Sequence, residues 1–160
     1  MKIIKNFLDK KTHKEMKKLL FSNNFPWYYN DFVSNKRDNN DFFFSHILYA
    51  NEKSNSNYFN FFIDPILKKI QFKKLIRAKI NCYTKMEKNR ISKFHIDQFS
   101  DHKVALYTVN TSNGYTLFKE GNKFYSLENS LLIFDGNKKH CSVTQTDKKL
   151  RINININLEQ

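Results

Sequence analysis

The segment LRINININL, residues 150–158, alternates apolar and polar side chains without interruption. Successive side chains of an extended chain point to opposite faces, so this period of two predicts a β-strand with one apolar and one polar face. Ile152 belongs to the apolar face, and Arg151 and Asn153 belong to the polar face. The polar face must meet either water or a cavity that requires polar groups, and taken alone the strand slightly favours water.

Six more short strands are predicted upstream, separated by the turn signals SNG, EGN, DGN and TDKK. The predicted strands are residues 77–84, 104–109, 115–119, 123–127, 130–135 and 141–145. Short strands at this spacing, after an N-terminal region of different character, predict a small sandwich or jelly roll with helices packed outside it.

The N-terminal region carries helical signals. Apolar residues at helical spacing predict an amphipathic surface helix over residues 8–22, with Asp9 or Thr12 as its N-cap. A second helix is predicted from Asp64 to Leu75, because Asp64 is a good cap and Pro65 suits the first helical position.

Polar stretches on both sides of an aromatic segment indicate loops at residues 34–41 and 51–57. Loops carry specificity in such folds, so residues 30–57 and 85–94 are the candidates for recognising a substrate. Their lengths and charges do not name one.

The chain has 160 residues and a mass of 19.3 kDa, which is the length of one domain. Its two cysteines, Cys82 and Cys141, are too few for a disulfide framework and predict buried thiols in a reducing cytosol. No segment approaches the roughly 18 apolar residues of a membrane helix. These features predict a soluble, unexported, cytoplasmic protein.

The formal net charge of +13 and the pI of about 9.7 raise the possibility of nucleic-acid binding. Most of the 28 basic residues are lysines spread along the chain, and no basic run marks a binding tail. The excess of Lys, Asn, Ile and Phe over three Gly and two Pro is also what an A+T-rich coding sequence produces. Nucleic-acid binding is therefore possible but not favoured.

The segment KFHIDQ places His95 and Asp97 two positions apart, so on an extended chain both side chains share one face. His140 follows 45 residues later, at the start of a predicted strand. Two imidazoles and one carboxylate on one face of an octahedral ion leave three positions open, as Fe(II) oxygen chemistry requires. An H-x-D pair alone is a common chance match, and the residues around it decide its value.

With Arg151 placed 11 residues after His140, the sequence resembles the Fe(II)/2-oxoglutarate oxygenase superfamily. The signature of that family is H-x-D, a distal His, and an Arg about ten residues further on. The segments LYTVNTSNGYTLF and SLLIFDGNKKH are similar to the prolyl-4-hydroxylase-like branch and its small phage and bacterial relatives. The resemblance covers about residues 76–158, and the first 75 residues contribute no motif.

The resemblance implies a double-stranded β-helix, a cupin-like jelly roll that is mainly β with N-terminal helices (α+β). It implies a single oxygenase domain over residues 1–160. Residues 1–75 would form a helical and loop-rich support, and residues 76–158 would form the jelly-roll core.

The resemblance also implies an activity, in which Fe(II), 2-oxoglutarate and O₂ hydroxylate a C–H bond with release of succinate and CO₂. His95, Asp97 and His140 would hold the metal, and Arg151 would bind the far carboxylate of 2-oxoglutarate with its planar fork. The carboxylate of Asp97 favours hydroxylation, because halogenating relatives lack it. The primary substrate stays open between a peptide or protein side chain and a small metabolite, and the oligomeric state is not predicted.

Further partners of the cosubstrate are predicted on other grounds. Thr108 is a candidate by its family position, and Tyr83 with Asn81 by strand alternation. Asn153 joins them because it shares a face with Arg151. The remaining histidines are interpreted as structural or exposed: His13, His46 and His102.

Three alternatives remain open. The pairs Asn81 with Tyr83 and Arg151 with Asn153 are similar to the N-x-Y and R-x-N elements of alkylation-repair oxygenases that act on nucleic acid. That group carries a second Arg where this chain has Asn157. A cupin-like metal protein using Zn-bound water is the second alternative, and it does not explain Arg151. The third is a non-catalytic binding module.

Overall fold

The computed structural model describes residues 1–31, 42–98 and 101–159. The predicted loop at residues 34–41 lies outside them. Within the described residues the chain forms these elements: β1 (Lys2–Lys5), α1 (Lys10–Leu20), β2 (Tyr28–Asn30), β3 (Phe43–Ala50), β4 (Lys53–Ser54), α2 (Phe59–Leu67), β5 (Lys74–Thr84), β6 (Lys103–Thr108), β7 (Tyr115–Phe118), β8 (Lys123–Tyr125), β9 (Ser130–Asp135), β10 (His140–Val143) and β11 (Leu150–Glu159). None of the helices among these residues has the length and apolar character needed to cross a bilayer.

The strands form two antiparallel sheets. The major sheet has the order β1-β9-β6-β11-β5-β3-β2, with β4 paired to β3, and the minor sheet has the order β10-β7-β8. Val104 and Phe134 of the major sheet pack with Phe118 and Phe124 of the minor sheet in one buried cluster, so the two sheets face each other. This is a jelly roll, and the predicted fold class is confirmed.

The seven strands predicted from residue 77 onward are all present, with ends shifted by at most three residues. Period-two alternation and turn residues predict them because both are local properties of the chain. Cys82 and Cys141 are free, buried thiols, as predicted.

Strand β11 lies at the centre of the major sheet, between β5 and β6. Ile152, Ile154 and Ile156 are fully buried on its apolar face, in the cluster that includes the helices. Burial of side chains of this size stabilises the fold by about 1.5–3 kcal/mol each. The slight preference for water on the opposite, polar face is wrong, because the minor sheet covers that face and leaves Arg151 only 2% exposed.

Helix α1 begins at Lys10, and Asp9 caps it by accepting a hydrogen bond of 2.9 Å from the backbone N–H of Thr12. This prediction is confirmed to within two residues at each end. The buried stripe is His13, Met16 and Leu20. The ring of His13 contacts the hydroxyl of Tyr107 at 2.6 Å, which joins the helix to the sheet.

The second helix was predicted in the wrong place, since α2 ends at Leu67, near the predicted start. Phe62, Ile63 and Ile66 are buried and share one helical face, which places most of the helix before Pro65, with Pro65 in its last turn. Pro65 lacks a donor N–H, and the carbonyl left without it belongs to Phe61, on the exposed side of the helix where water can satisfy it. Residues from Lys74 onward belong to β5 instead.

The first 75 residues also contribute strands that sequence reasoning did not predict. β1 pairs with β9 at one edge of the major sheet, and β3 pairs with β5 towards the other edge. The segment DFFFSHILYA is apolar at consecutive positions, so it has no period-two signal. The predicted loop at residues 51–57 contains the two-residue strand β4.

The two adjacent phenylalanines of α2 provide a matched test of its position. Phe62 is fully buried, whereas Phe61 is 41% exposed. We expect Phe62→Ala to lower the free energy of unfolding by about 3–5 kcal/mol, because it leaves a cavity in the core. Phe61→Ala should cost less than about 1 kcal/mol. Urea denaturation followed by circular dichroism measures both, and equal losses would contradict the assigned helix.

Candidate active site

A short antiparallel bridge brings the two predicted histidine ligands together. The backbone N–H of His95 donates to the carbonyl of His140 at 2.9 Å, and the reverse bond is 3.0 Å. His140 is the first residue of β10, and His95 lies in the connection between β5 and β6. The spacing of two then places the side chain of Asp97 beside both rings.

The three side chains converge on one point. One ligand atom from each of His95, Asp97 and His140 lies within 4.8 Å of the others, and among the described residues no other group of three or more His, Cys, Asp or Glu does so. The Nε2 atoms of His95 and His140 lie 3.6 and 4.0 Å from Oδ1 of Asp97. This spacing suits a single small cation held by two nitrogens and one oxygen.

Hydrogen bonds orient both imidazoles for that role. Nδ1 of His95 lies 3.2 Å from the carbonyl oxygen of Lys93, and Nδ1 of His140 lies 3.0 Å from that of Lys138. A carbonyl can only accept, so in the neutral form of each ring Nδ1 carries the proton and Nε2 presents a lone pair to the shared space. Backbone contacts of this kind set the tautomer of metal-binding histidines.

Asn155 of β11 orients the carboxylate. Its Nδ2 donates to Oδ2 of Asp97 at 2.8 Å, which leaves Oδ1 directed towards the two histidines. Asn155 lies on the polar face of β11, two positions beyond Asn153, so the central strand of the sheet fixes the third ligand.

The electrostatics of the triad favour cation binding. Burial alone raises the pKa of Asp97, but the contacts with His95, His140 and Asn155 outweigh burial and hold the pKa well below its usual range. Burial lowers the pKa of His140. For His95 the effect of burial is exceeded by the interaction with Asp97 and the Lys93 carbonyl, so its pKa is raised. Asp97 therefore stays ionised at neutral pH.

Arg151 lies in the same cavity and is buried. Its guanidinium carbon lies 4.5 Å from the centre of the Tyr83 ring, and it donates a hydrogen bond to the hydroxyl of Ser142. Its Nε has no hydrogen-bond partner, and no ion pair joins it to an acidic side chain of the described residues. Burial lowers the pKa of Arg151, although the nearby Tyr83 opposes that effect.

Gly114 permits this placement of the arginine. A Cβ atom at Gly114 would lie 2.8 Å from Cδ and 2.9 Å from Nε of Arg151, closer than side-chain contacts allow. The side chain of Arg151 thus passes so close to the backbone of the SNG turn that the position requires glycine.

A ladder of polar cross-strand pairs lines the floor of the cavity. Along β5 and β11 the pairs are Tyr83 with Arg151, Asn81 with Asn153 and Lys79 with Asn155. Nδ2 of Asn81 donates to Oδ1 of Asn153 at 2.9 Å, while Oδ1 of Asn81 has no partner. Arg151 lies at one end of this ladder. Asn155, which holds the carboxylate of Asp97, lies at the other end.

Seven of the eight predicted site residues line this one cavity: Asn81, Tyr83, His95, Asp97, His140, Arg151 and Asn153. Thr108 does not line it. Although Thr108 pairs with Asn153 across β6 and β11, its hydroxyl lies within hydrogen-bond distance of the backbone carbonyls of Leu127 and Ser130, between which its single proton is shared. From β6 it is Leu106 that lines the cavity instead.

Among the cavity residues that the sequence reasoning missed are Phe43, Lys79, Ser142 and Asn155. Strand alternation could have found Lys79 from Asn81, and Asn155 from Asn153. Phe43 belongs to an unpredicted strand, and the contact of Ser142 with Arg151 depends on the packing of the minor sheet on the major sheet. The other histidines, His13, His46 and His102, are buried and do not belong to the triad.

No protein-family model matches the sequence, and no curated protein does. Solved structures share the fold. One is a prolyl hydroxylase from Trichoplax adhaerens, in complex with a hypoxia inducible factor oxygen degradation domain peptide fragment. It is 14% identical to this chain with a TM-score of 0.68, and the match covers 99% of this chain and 82% of that one. An oxidoreductase of the 2OG-Fe(II) oxygenase family from Burkholderia pseudomallei is 12% identical, with a TM-score of 0.67 over 99% and 84% of the two chains.

A Pseudomonas putida prolyl-4-hydroxylase is 9% identical, with a TM-score of 0.64 over 99% of this chain and 92% of its own. This chain thus has the fold of structures described as prolyl hydroxylases and 2OG-Fe(II) oxygenases, as the resemblance in its motifs predicted. At these identities the comparison identifies the fold.

Two asparagines on the same face of β11 test the orientation of the carboxylate ligand. Asn155 donates to Asp97, whereas Asn157 is buried with an unpartnered Nδ2 and does not line the cavity. We expect Asn155→Ala to weaken Co(II) or Zn(II) binding about 10- to 100-fold, the usual effect of removing a group that orients a ligand.

The matched variant Asn157→Ala should leave the metal affinity within about twofold of wild type. Isothermal titration calorimetry gives both affinities. Equal effects in the two variants would show that Asn155 does not position the ligand.

Proposed function

We propose that this chain is an Fe(II)- and 2-oxoglutarate-dependent dioxygenase that hydroxylates a C–H bond with release of succinate and CO₂. One observation carries the proposal. The buried Arg151, which has no acidic partner among the described residues, shares a cavity with the triad of His95, Asp97 and His140. A cation site and a separate anion site in one cavity match a metal-chelating dicarboxylate.

The donor set fits Fe(II). Two neutral imidazoles and one ionised carboxylate on one side of an ion form the facial triad of non-haem iron oxygenases, which leaves positions open for other ligands. When bound there, Fe(II) would supply the activation of O₂. His95, Asp97 and His140 would hold the ion, and the contacts of Lys93, Lys138 and Asn155 would keep those ligands oriented.

Arg151 fits the far carboxylate of 2-oxoglutarate. A buried guanidinium without an anion is costly, and bidentate pairing with a carboxylate offsets that cost. The ring of Tyr83 lies against the guanidinium, and Ser142 accepts from it, so the unpartnered Nε and the rest of the fork are held in a fixed plane. Tyr83 and Ser142 would therefore position the arginine, and Asn81 with Asn153 would border the cosubstrate.

The cupin-like alternative accounts for fewer of these contacts, whereas the nucleic-acid alternative uses the same contacts and differs in its substrate. A cupin-like hydrolase with Zn-bound water would use the triad but leave the charge of Arg151 uncompensated in the cavity. A nucleic-acid oxygenase would use both the triad and Arg151. Its substrate would require a basic surface leading to the site. The primary substrate is a peptide or protein side chain or a small metabolite, recognised outside the triad.

Substitution of Arg151 tests the cosubstrate. Arg151→Lys keeps the positive charge but loses the planar pair of guanidinium donors. We expect 2-oxoglutarate to bind about 10- to 100-fold more weakly, because one charge-assisted hydrogen bond is lost. The exposed Arg90→Lys makes the same chemical change away from the cavity and should bind 2-oxoglutarate like wild type. Calorimetry on the Co(II)-loaded proteins measures binding, and NMR detection of succinate from the Fe(II)-loaded proteins measures turnover.

Unaltered binding in Arg151→Lys, or absence of any 2-oxoglutarate binding to the metal-loaded wild type, would contradict the proposed cosubstrate. Succinate formation without an added primary substrate is expected to be slow, because the reaction is then uncoupled.

A further inference from the structure

Lys79 is a cation in the active-site cavity that the proposed reaction does not use. It lies on β5 and shares a face with Asn81 and Tyr83, so its side chain borders the same cavity as the triad. It is half-buried, and its Nζ lies 5.0 Å from the centre of the Phe43 ring. A lysine is an unusual choice for such a position, since its charge must be desolvated there.

No carboxylate of the described residues forms an ion pair with Lys79. The charge of Asp97 acts on Lys79 and raises its pKa, but the carboxylate of Asp97 is directed at the metal site. Desolvation, followed by the charge of Arg77, lowers the pKa of Lys79 to about 8, so the amine remains mostly protonated at neutral pH.

Lys79 and Arg151 lie at opposite ends of the polar ladder. Arg151 pairs with Tyr83, which is four residues from Lys79 along β5, and four residues of strand span about 13 Å. Lys79 instead pairs with Asn155, the residue that holds Asp97. A 2-oxoglutarate chelated to the metal and bound by Arg151 would extend away from Lys79, which leaves the lysine to face the primary substrate.

The formal charges of the loaded site point the same way. The two positive charges of Fe(II) and the negative charge of Asp97 leave a net charge of one, and Arg151 adds a second positive charge. The two negative charges of 2-oxoglutarate cancel these two positive charges. The charge of Lys79 is then left over, and a substrate with one negative charge would neutralise the cavity.

We propose, on the basis of the function proposed above, that Lys79 is a specificity-determining residue that binds a carboxylate of the primary substrate beside the metal. The substrate class is therefore a carboxylic acid, hydroxylated at a carbon near its carboxylate. A single ammonium group suits a monoanion. A phosphate would bring a second negative charge and needs several donors, whereas among the described residues Lys79 is the one basic side chain at this end of the cavity apart from the metal ligands.

Phe43 supplies the rest of the recognition surface. It is 3% exposed and stacks on Tyr83 at 5.6 Å, so it is a fixed apolar wall between the two ends of the ladder. Without a bound anion, the ammonium of Lys79 lies over the face of the Phe43 ring. This cation–π contact offsets part of the free-energy cost of desolvating the charge. The apolar part of a small acid would lie against this wall.

Fluorinated probes test the proposal without knowledge of the substrate. The protein is loaded with Co(II) and saturated with 2-oxoglutarate, and the ¹⁹F transverse relaxation of trifluoroacetate is titrated, with neutral trifluoroacetamide as the comparison. Paramagnetic Co(II) broadens only a probe that binds close to it. Wild type should broaden trifluoroacetate saturably and about tenfold more than trifluoroacetamide, the discrimination expected for one charge-assisted contact.

Lys79→Met should abolish this difference while its affinity for 2-oxoglutarate, measured in the same samples, stays unchanged. The control Lys14→Met removes the same charge from the exposed side of α1 and should behave like wild type. Lys79→Arg should restore part of the preference for the anion.

Persistent broadening in Lys79→Met would overturn the proposal, because the anion would then bind the metal or another surface. Absence of saturable broadening in wild type that binds 2-oxoglutarate would also overturn it, and stronger broadening of methyl phosphate ³¹P signals would overturn the assignment to a carboxylate. Failure to bind 2-oxoglutarate at all would instead count against the proposed oxygenase function, so the two outcomes are distinguishable.

Discussion

The structure depends on a central strand whose two faces are both buried but in different surroundings. The isoleucines of β11 pack against the helices, and Arg151, Asn153 and Asn155 face the minor sheet. Because the side-chain period of a strand is two, the packing of the apolar face fixes the register of the polar face. The same hydrophobic contacts that stabilise the fold therefore place the arginine and the residue that orients Asp97, and the site needs no separate scaffold.

Sequence alone was sufficient for the strands from residue 77 onward, which follow from alternation and turn residues. Through the resemblance of its motif it also named residues that the fold brings into one cavity, namely His95, Asp97, His140 and Arg151, and their roles stay predictions. It was insufficient where tertiary packing decides. The Asp-Pro signal at residue 64 placed α2 too late, because burial of Phe62 and its neighbours outweighs local capping preference. Thr108 has the expected strand position, yet its hydroxyl is taken up by backbone carbonyls.

The cavity is unusual for the number of buried polar groups that the protein leaves without partners. Oδ1 of Asn81, Nε of Arg151 and Oδ1 of Asn155 all lack hydrogen bonds within the described residues. Each such group lowers the stability of the ligand-free protein. Ligands that satisfy these groups should bind tightly and stabilise the fold, as expected for a site preorganised for a charged, polar cosubstrate.

The most direct test of the central claim is the visible spectrum of the anaerobic, Fe(II)-loaded protein during titration with 2-oxoglutarate. The proposed site predicts a weak metal-to-ligand charge-transfer band that rises to saturation and is absent from His140→Ala, because the keto acid must chelate an iron held by the triad. Iron binding without the band would contradict the assignment of 2-oxoglutarate, and failure of the wild type to bind iron would contradict the metal site itself.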